Sequence, residues 1–268
     1  MNIYIPTYKR LDRQPTLHAL AAAGVPTTLV VRHEEYQQAL DLAQKVSKTT
    51  GAAVFVAPIT SPVNGIHETR QWIVDNAAGD KVIMMDDDLD FACRGYRKDN
   101  PLYLSRATPE DLYKAVYWMY DQLNDFALAG LGAREGNNRK PTSTDKCSRM
   151  MRAWGLRKDV FCNHGIRFDR VNGIEDFDVI LQFLENGYEN IISNVYVTNQ
   201  AGSNTAGGCS TFRTLEYQKQ QAELLQSLHP QFVKTVQKET KTAWGGAIRT
   251  DVNVQWKKAF NSYKGTPR

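Results

Sequence analysis

The first 85 residues alternate between short apolar runs and segments in which apolar residues have helical spacing. The apolar runs predict strands at residues 2–6, 27–32, 53–58 and 82–85, and the segments between them predict helices at about 14–23, 34–47 and 66–78. Repeated strand–helix units are typical of a parallel doubly wound sheet, because each helix carries the chain back to start the next parallel strand. The sequence therefore predicts an α/β, Rossmann-like fold with a mostly parallel central sheet flanked by helices.

An acidic cluster follows the fourth predicted strand directly. The apolar run 82–85 is continued by four carboxylates, which are Asp86, Asp87, Asp88 and Asp90. Strands of open α/β sheets end at the crevice that binds ligands, and like charges packed together there need a cation to neutralise them. Two carboxylates one residue apart, Asp86 and Asp88, suit Mg²⁺ or Mn²⁺ that is also held by substrate phosphates. The alternative interpretation is a solvated acidic turn.

Composition limits the class of protein. The chain has 268 residues, of which 42% are hydrophobic and 23% are charged, as expected of a globular protein. It has no apolar stretch of the ~20 residues that cross a membrane and no apolar secretory leader, so we expect a cytosolic, single-domain protein. The four cysteines are scattered without a CxxC pair, which favours reduced thiols over a zinc site.

Positive charge is concentrated in two stretches. Residues 134–158 and 234–268 each hold eight Lys or Arg against two acids, within a formal net charge of +4. Basic residues mixed with tryptophan can hold a nucleic-acid backbone and stack on bases, although solvated faces around core tryptophans are the alternative. The candidate nucleic-acid contacts are Arg134, Arg139, Lys140, Lys146, Arg149 and Arg152.

A second acidic motif, Gly173 to Asp176, precedes an apolar helix that ends near Gly187. Asp176 or Glu175 is a candidate general base, and the alternative is that these acids only cap the helix.

Candidate nucleotide contacts lie on either side of the first acidic cluster. Arg70, on the helix before that cluster, is expected to pair with a phosphate or with Asp87, unless it is an exposed helix cation. Tyr8 and Arg10 follow the first strand, where they could stack on a nucleotide and pair with it. The glycine-rich stretch Gly202–Gly208 could close over a bound nucleotide, or be an ordinary surface connection.

The second half is less regular. A helix is predicted at 109–124, a strand within 126–135, a pair of strands at 150–161, a strand at 191–198 and a helix at about 214–227. The tail after Pro230 shows no core of its own.

Three blocks of the chain together resemble nucleotide-sugar glycosyltransferases of the GT-A fold. They are IYIPTYKR, GIHETRQWIVDNAAGDKVIMMDDDLDF and GIEDFDVILQFLENGY, and they cover about the first 90 residues and the region near 165–200. The resemblance implies a nucleotide-sugar-binding half at 1–91, an acceptor-side half at 92–230 and a basic extension at 231–268.

This resemblance also implies roles for individual residues. Asp86 and Asp88 would bind Mn²⁺ or Mg²⁺ that bridges the donor diphosphate, with a UDP-sugar as the favoured donor. Asp176 would deprotonate the acceptor hydroxyl in an inverting reaction. The donor contacts would be Pro6, Thr7, Tyr8, Arg10, Arg70 and Asp87. Many GT-A enzymes have a late histidine as third metal ligand, whereas the glycine-rich stretch has none, since His164 precedes the acidic motif and His229 lies well beyond it.

Within the GT-A superfamily, the pattern from IPTYKR to GGCSTFR is most similar to the phage and fungal glycosyltransferases associated with TET-type dioxygenases. That likeness implies a hydroxymethylated pyrimidine in DNA as acceptor, and the host cytoplasm as location if the gene belongs to a phage. A sugar nucleotidyltransferase, a transferase with a small-molecule or saccharide acceptor, and a non-catalytic nucleic-acid-binding module remain open alternatives.

Overall fold

The computed structural model describes residues 1–134, 140–200, 214–239 and 246–266. The strands in these ranges are β1 (Ile3–Pro6), β2 (Thr27–Arg32), β3 (Val54–Ile59), β4 (Lys81–Met85), β5 (Leu89–Cys93), β6 (Ser105–Arg106), β7 (Leu128–Ala133), β8 (Thr144–Lys146), β9 (Ala153–Arg157), β10 (Asn190–Gln200), β11 (Val233–Glu239) and β12 (Ile248–Val254). The helices are α1 (Pro15–Ala22), α2 (Tyr36–Thr50), α3 (Ile66–Asn76), α4 (Pro109–Gln122), α5 (Lys158–Asn163), α6 (Glu175–Glu185), α7 (Leu215–Leu228) and α8 (Trp256–Asn261).

Ten of the described strands form one sheet, in the order β3-β2-β1-β4-β9-β7-β10-β5-β6, with β8 paired to β10 off this path. The first four strands of this order are parallel to one another. β9 is antiparallel to both of its neighbours, β10 runs parallel to β7, and β5 runs antiparallel to β10. The predicted α/β fold, with a mostly parallel sheet and flanking helices, is confirmed.

Helices cover both faces of the sheet because successive strand side chains point to opposite faces. Ile3 and Ile5 of β1 belong to a buried cluster that also contains residues of α1, α2 and α4. Val82 and Met84 of β4 belong to a second cluster, with residues of α3, α6 and α7. These all-apolar runs are typical of strands that are buried on both faces.

The crevice lies where β1 and β4 end side by side. The register pairs Ile3 with Ile83 and Tyr4 with Met84, so the loop after Pro6 and the turn after Met85 leave the sheet next to each other. Carboxyl ends of parallel strands meet at one edge of a sheet, which brings residues 7–10 and 86–88 together.

The predicted pair of strands at residues 150–161 is wrong. Only Ala153–Arg157 is a strand, and Lys158–Asn163 is a helix. The backbone amide of Arg157 donates to the carbonyl of Ala127 at 2.9 Å, and that of Lys158 donates to the carbonyl of Asp80 at 2.7 Å. Ala127 and Asp80 directly precede the neighbouring strands β7 and β4, so β9 ends at these two hydrogen bonds. Asp159 then lies in the first turn of α5, where a negative charge favours a helix.

The tail after Pro230, which was predicted to show no core of its own, packs into the core of the rest of the chain. Phe232, Val233, Val252 and Ala259 are buried in the same apolar cluster as α6. β11 and β12 form an antiparallel hairpin, and the short helix α8 follows it. Among the described residues, no helix combines the length and apolar character that spanning a membrane requires.

Candidate active site

The acidic cluster forms a tight turn between β4 and β5. The amide of Asp86 donates to the carbonyl of Arg152 at 2.8 Å. The Thr16 hydroxyl, at the start of α1, donates to the carbonyl of Asp86 at 2.7 Å and accepts from the amide of Leu89 at 2.9 Å. The turn is therefore held from two sides, and Asp90 lies beyond it as an exposed residue of β5.

Asp87 is buried and faces the loop after β1. Its Oδ2 accepts a hydrogen bond of 2.7 Å from the Thr7 hydroxyl, which in turn accepts one of 2.7 Å from the Gln14 amide. Arg10 Nη1 lies 3.3 Å from Asp87 Oδ1 and 3.0 Å from Asp88 Oδ2. Three of the predicted donor contacts, Thr7, Arg10 and Asp87, are thus in one network.

Asp88 is also contacted from β10, the strand that pairs with β5. Gln200, the last residue of β10, donates through Nε2 to Asp88 Oδ1 at 2.6 Å. β10 therefore contributes to the acidic cluster although it is distant in sequence.

Arg70 links the two acidic motifs. Its Nη2 donates to Asp86 Oδ1 at 2.6 Å, and its Nη1 forms an ion pair with Glu175 Oε1. The guanidinium lies over the Trp154 ring, 5.4 Å from the centroid. Arg70 is 4% exposed, so the alternative of an exposed helix cation is wrong. The predicted pairing with Asp87 is corrected to Asp86 and Glu175, because Arg70 lies on the side of the turn that faces α6.

Asp176 lies beside Glu175 at the start of α6, with a different partner. Its Oδ2 accepts a hydrogen bond of 2.9 Å from Arg149 Nε. The guanidinium carbon of Arg149 is 3.9 Å from the centroid of the Phe177 ring, a cation–π geometry. Glu175 and Asp176 are therefore held by two separate arginines, and each is buried.

Burial shifts the acid–base equilibria of these carboxyl groups. Burial raises the pKa of Asp86 above its ordinary value, against the opposing charge of Arg70. It likewise raises the pKa of Asp87 to about 6, against the Thr7 hydrogen bond and the Arg10 charge. Burial also raises the pKa of Glu175, and Arg70 opposes that shift. A nearby cation favours the charged form of each group.

The acidic turn suits a hard divalent cation in its donor chemistry. Asp86 and Asp88 offer carboxylate oxygens, and the charge of Asp88 adds to the effect of burial in raising the pKa of Asp86. In the part of the chain that the structure describes, no group of three His, Cys, Asp or Glu is arranged to hold a metal ion. His164 contacts Tyr188 and His229 contacts Asp178 instead. The two aspartates therefore fit a cation that takes its other ligands from phosphates and water.

The other predicted donor contacts flank the loop after β1. Pro6 is buried at the end of β1. Two cations approach the Tyr8 ring, with Lys9 Nζ at 5.0 Å and the Arg32 guanidinium at 5.1 Å from its centroid. The glycine-rich stretch 202–208 and Arg139 lie outside the described residues.

The remaining basic candidates do not form one uniform surface. Lys140 pairs with Asp145, and Lys146 pairs with Glu189 at 2.7 Å. Arg134 donates to the carbonyl of Leu104 at 3.4 Å. Arg149 belongs to the Asp176 site, and Arg152 meets the acidic turn through its own carbonyl, with a left-handed φ of 71°.

The sequence analysis missed four residues of this site, which are Gln14, Thr16, Trp154 and Gln200. Trp154 belongs to the site because its ring lies under the Arg70 guanidinium. Gln200 and Trp154 come from distant strands, so no local pattern could indicate them. Thr16, beside the helix-starting Pro15, had a local signal as a residue at a helix start.

Known proteins resemble this chain both in sequence and in fold. The family model described as TET-Associated Glycosyltransferase matches residues 1–208. A protein of Enterobacteria phage T6 named beta-glucosyl-HMC-alpha-glucosyl-transferase is 23% identical over 227 residues, which are 78% of this chain and 74% of that relative. The protein of the same name from Enterobacteria phage T2 is 22% identical over the same shares of the two chains.

Two solved structures share the fold. The mannosyltransferase PcManGT from Pyrobaculum calidifontis, in complex with GDP-Man and Mn²⁺, matches with a TM-score of 0.53 and 14% identity over 84% of this chain and 61% of the other. S. aureus TarS 1-349 in complex with UDP matches with a TM-score of 0.50 and 11% identity, over 84% and 64%. This chain thus spans less than two thirds of either solved chain.

Proposed function

This chain belongs to the TET-associated glycosyltransferase family, and from that premise we propose that it is a metal-dependent enzyme that transfers a sugar to DNA. Membership makes it a glycosyltransferase of the nucleotide-sugar type, which confirms the resemblance noted in its sequence. The proposed donor is a nucleotide-diphosphate sugar, with a UDP-sugar favoured. The proposed acceptor is a hydroxyl group on a 5-hydroxymethylated pyrimidine, free or already glucosylated.

The observation that carries this proposal is the Arg70 bridge between the two acidic motifs. One buried guanidinium contacts Asp86 on the strand side and Glu175 on the helix side. A donor diphosphate placed at Asp86 and Asp88 would therefore lie beside Asp176, which follows Glu175. Sugar transfer needs the donor and the acceptor hydroxyl to be close together, because reacting atoms must be held about 3–3.5 Å apart.

The side chains around the acidic turn suit a nucleotide diphosphate. Arg10 and Arg70 supply positive charge on either side of the turn, and Tyr8 supplies an aromatic face for a base. Asp86 and Asp88 would hold Mn²⁺ or Mg²⁺, which when bound supplies charge neutralisation to the leaving diphosphate. PcManGT, which shares the fold, was solved with GDP-Man and Mn²⁺.

Asp176 is the proposed general base. It would take the proton of the acceptor hydroxyl if the reaction inverts the anomeric centre. Arg149 holds one carboxylate oxygen of Asp176 at 2.9 Å, which sets the direction of the other oxygen.

DNA as acceptor is supported by HMC in the names of the two phage relatives and by the basic side chains of the stretch around β8. Lys140, Lys146 and Arg134 lie on segments that border β7 and β8, where they could contact phosphates without reading sequence. A base within a duplex must also be extruded to reach a buried carboxylate, at a cost of a few kcal/mol. An enzyme encoded by a phage would act in the host cytoplasm, as the sequence led us to expect.

The test is mass spectrometry of nucleosides from DNA incubated with the protein. The DNA would carry cytosine, hydroxymethylcytosine or glucosylated hydroxymethylcytosine, with a panel of UDP- and GDP-sugars and with Mn²⁺, Mg²⁺ or EDTA. We expect one added hexose on a hydroxymethylated substrate, only with a divalent cation and a matched donor. The catalytically inactive control is Asp88→Asn.

Several results would contradict the proposal. Equal transfer in EDTA would reject the metal, and transfer to free saccharides alone would reject the DNA acceptor. Release of pyrophosphate from a nucleoside triphosphate and a sugar phosphate would favour a sugar nucleotidyltransferase. DNA binding with no affinity for any nucleotide-sugar would favour a non-catalytic module.

A further inference from the structure

The C-terminal segment, defined as residues 214–239 and 246–266, lies beyond the range 1–208 that the family model matches. We propose that this segment is a positioning element for the reaction, in which Trp256 fixes Phe177 and thereby holds Arg149 against the Asp176 carboxylate. The inference rests on the proposed function, in which Asp176 accepts the proton. It assigns Trp256 a role that acts through other residues, without contact to substrate.

Phe177 is the link between the segment and the base. Its ring contacts the Arg149 guanidinium at 3.9 Å and packs against the Trp256 ring, with centroids 5.6 Å apart and planes 27° apart. Stacked rings and a cation over a ring are both directional contacts. Since Phe177 directly follows Asp176 in α6, the position of this ring sets where Arg149 meets the carboxylate.

Arg149 needs such a platform to stay in place. Its side chain is 38% exposed, whereas that of Asp176 is 9% exposed. A long, partly solvated side chain keeps one geometry only if other contacts offset its loss of rotamer freedom. Among the described residues, the Phe177 face contacts the guanidinium in addition to Asp176. Loss of the Trp256 ring would therefore let the Phe177 ring move, which would weaken the contact of Arg149 with that ring. The Asp176 carboxylate would then lose its fixed hydrogen bond to Arg149.

The segment is attached to α6 at two further places, which makes Trp256 a fixed support. His229 is buried, with Nε2 bonded to Asp178 Oδ1 at 2.8 Å and Nδ1 bonded to Glu185. The Tyr263 ring packs so closely on Gly187, at the end of α6, that a Cβ there would overlap it. Both ends of α6 are thus held by the same C-terminal segment.

The alternative is that Trp256 only adds buried apolar surface. Phe260, on the same helix, packs against the same apolar cluster and supplies the matched control. If Trp256 contributed only to stability, substitution of Trp256 and of Phe260 by alanine should have similar effects on kcat. If Trp256 positions Arg149, only its substitution should lower kcat strongly.

The kinetic test compares Trp256→Ala, Trp256→Phe and Phe260→Ala in the full chain. We expect Trp256→Ala to lower kcat by about ten- to a hundredfold, as displaced catalytic groups do, with donor KM unchanged. Trp256→Phe, which keeps an aromatic ring, should restore most of kcat. Adding Trp256→Ala to Arg149→Met should cause little further loss, because Trp256 acts through Arg149. Independent, multiplying losses, or an equal loss of kcat in Phe260→Ala, would overturn the inference.

A spectroscopic test separates this inference from the proposed function. The Arg149 Nε–H signal in ¹⁵N NMR, assigned by its loss in Arg149→Lys, should shift and exchange faster with water in Trp256→Ala but not in Phe260→Ala. This readout needs no substrate, so it holds even if the wild-type protein transfers no sugar to DNA. An unchanged Arg149 signal in Trp256→Ala would overturn the positioning role, whatever the acceptor proves to be.

Discussion

At the scale of single residues, the site depends on which carboxylate meets which cation. Asp86 and Glu175 share Arg70, Asp88 meets Arg10 and Gln200, and Asp176 meets Arg149. Glu175, Asp88 and Asp176 therefore meet different cations, and substitution of each of these three should have a distinct effect.

Asp88→Asn should abolish sugar transfer by weakening the cation site. Substitution of residues that hydrogen-bond to metal ligands typically weakens metal binding about 10- to 100-fold. We expect substitution of a direct ligand to weaken it at least as much. Calorimetric titration of Mn²⁺ checks this, with Asp90→Asn as the control because Asp90 is exposed on β5. An Asp88→Asn protein with wild-type Mn²⁺ affinity and turnover would show that Asp88 is not a ligand of the cation.

Glu175→Gln and Asp176→Asn should separate structure from chemistry. Glu175→Gln leaves the buried Arg70 with one partner fewer, so we expect a loss of about 3–5 kcal/mol in the free energy of unfolding and weaker donor binding. Asp176→Asn removes a base and should lower kcat by about 10²–10⁴-fold, with donor binding retained. Urea denaturation and calorimetry with the donor nucleotide distinguish the two. A reversed pattern would make Glu175 the base.

At the scale of elements, α6 joins the acidic motif to the C-terminal segment. Its first turn carries Glu175 and Asp176, and Asp178 and Glu185 both contact His229. Burial alone would lower the pKa of His229, but hydrogen bonds to these two carboxylates outweigh it and raise that pKa above its ordinary value. A histidine whose two ring nitrogens both face carboxylates is favoured as the charged form.

The His229 contacts predict a pH dependence of stability. Because the folded-state pKa is raised, the stabilisation is fully present below the ordinary value of about 6.5 and is lost as pH rises through the folded-state pKa. The charged groups that face His229 are Asp178 and Glu185, and Arg170 also reaches Asp178 at 3.4 Å. His229→Gln should cost about 1.5–3 kcal/mol at pH 6 and progressively less at higher pH.

Urea denaturation of the wild-type protein and His229→Gln from pH 6 to pH 9 checks this dependence. The expected result is a difference in the free energy of unfolding that shrinks as pH increases. A difference that is constant or grows over this range would show that His229 is neutral in the folded protein.

At the scale of the whole molecule, the basic stretches predict how DNA binding responds to salt. Lys140 and Lys146 lie before and within β8, and their side chains are 43% and 48% exposed. Changing both to Ala should reduce the slope of log affinity against log salt by about 0.9 for each lost phosphate contact. Lys45→Ala with Lys48→Ala on α2 is the matched control, since both are exposed. Equal slopes in all three proteins would exclude the residue 140–146 region as a DNA surface.

Sequence patterns predicted the elements that depend on local contacts. β1 to β4 and α1 to α3 lie within a few residues of their predicted bounds, because apolar period and helix start signals are properties of neighbouring residues. The acidic turn after β4 followed from the same reasoning. The division into halves at 1–91 and 92–230 stays a prediction.

The chain's own sequence determined the fold class, the strand that carries Asp86–Asp88, and the acidic start of α6. Tertiary structure alone decided that β9 inserts between β4 and β7, that Arg70 joins Asp86 to Glu175, and that the C-terminal segment packs on α6. The physical reason is range. Periodicity and capping act over one or two turns, whereas these pairings join residues tens to more than a hundred positions apart and depend on which surfaces remain to be buried once the sheet has formed.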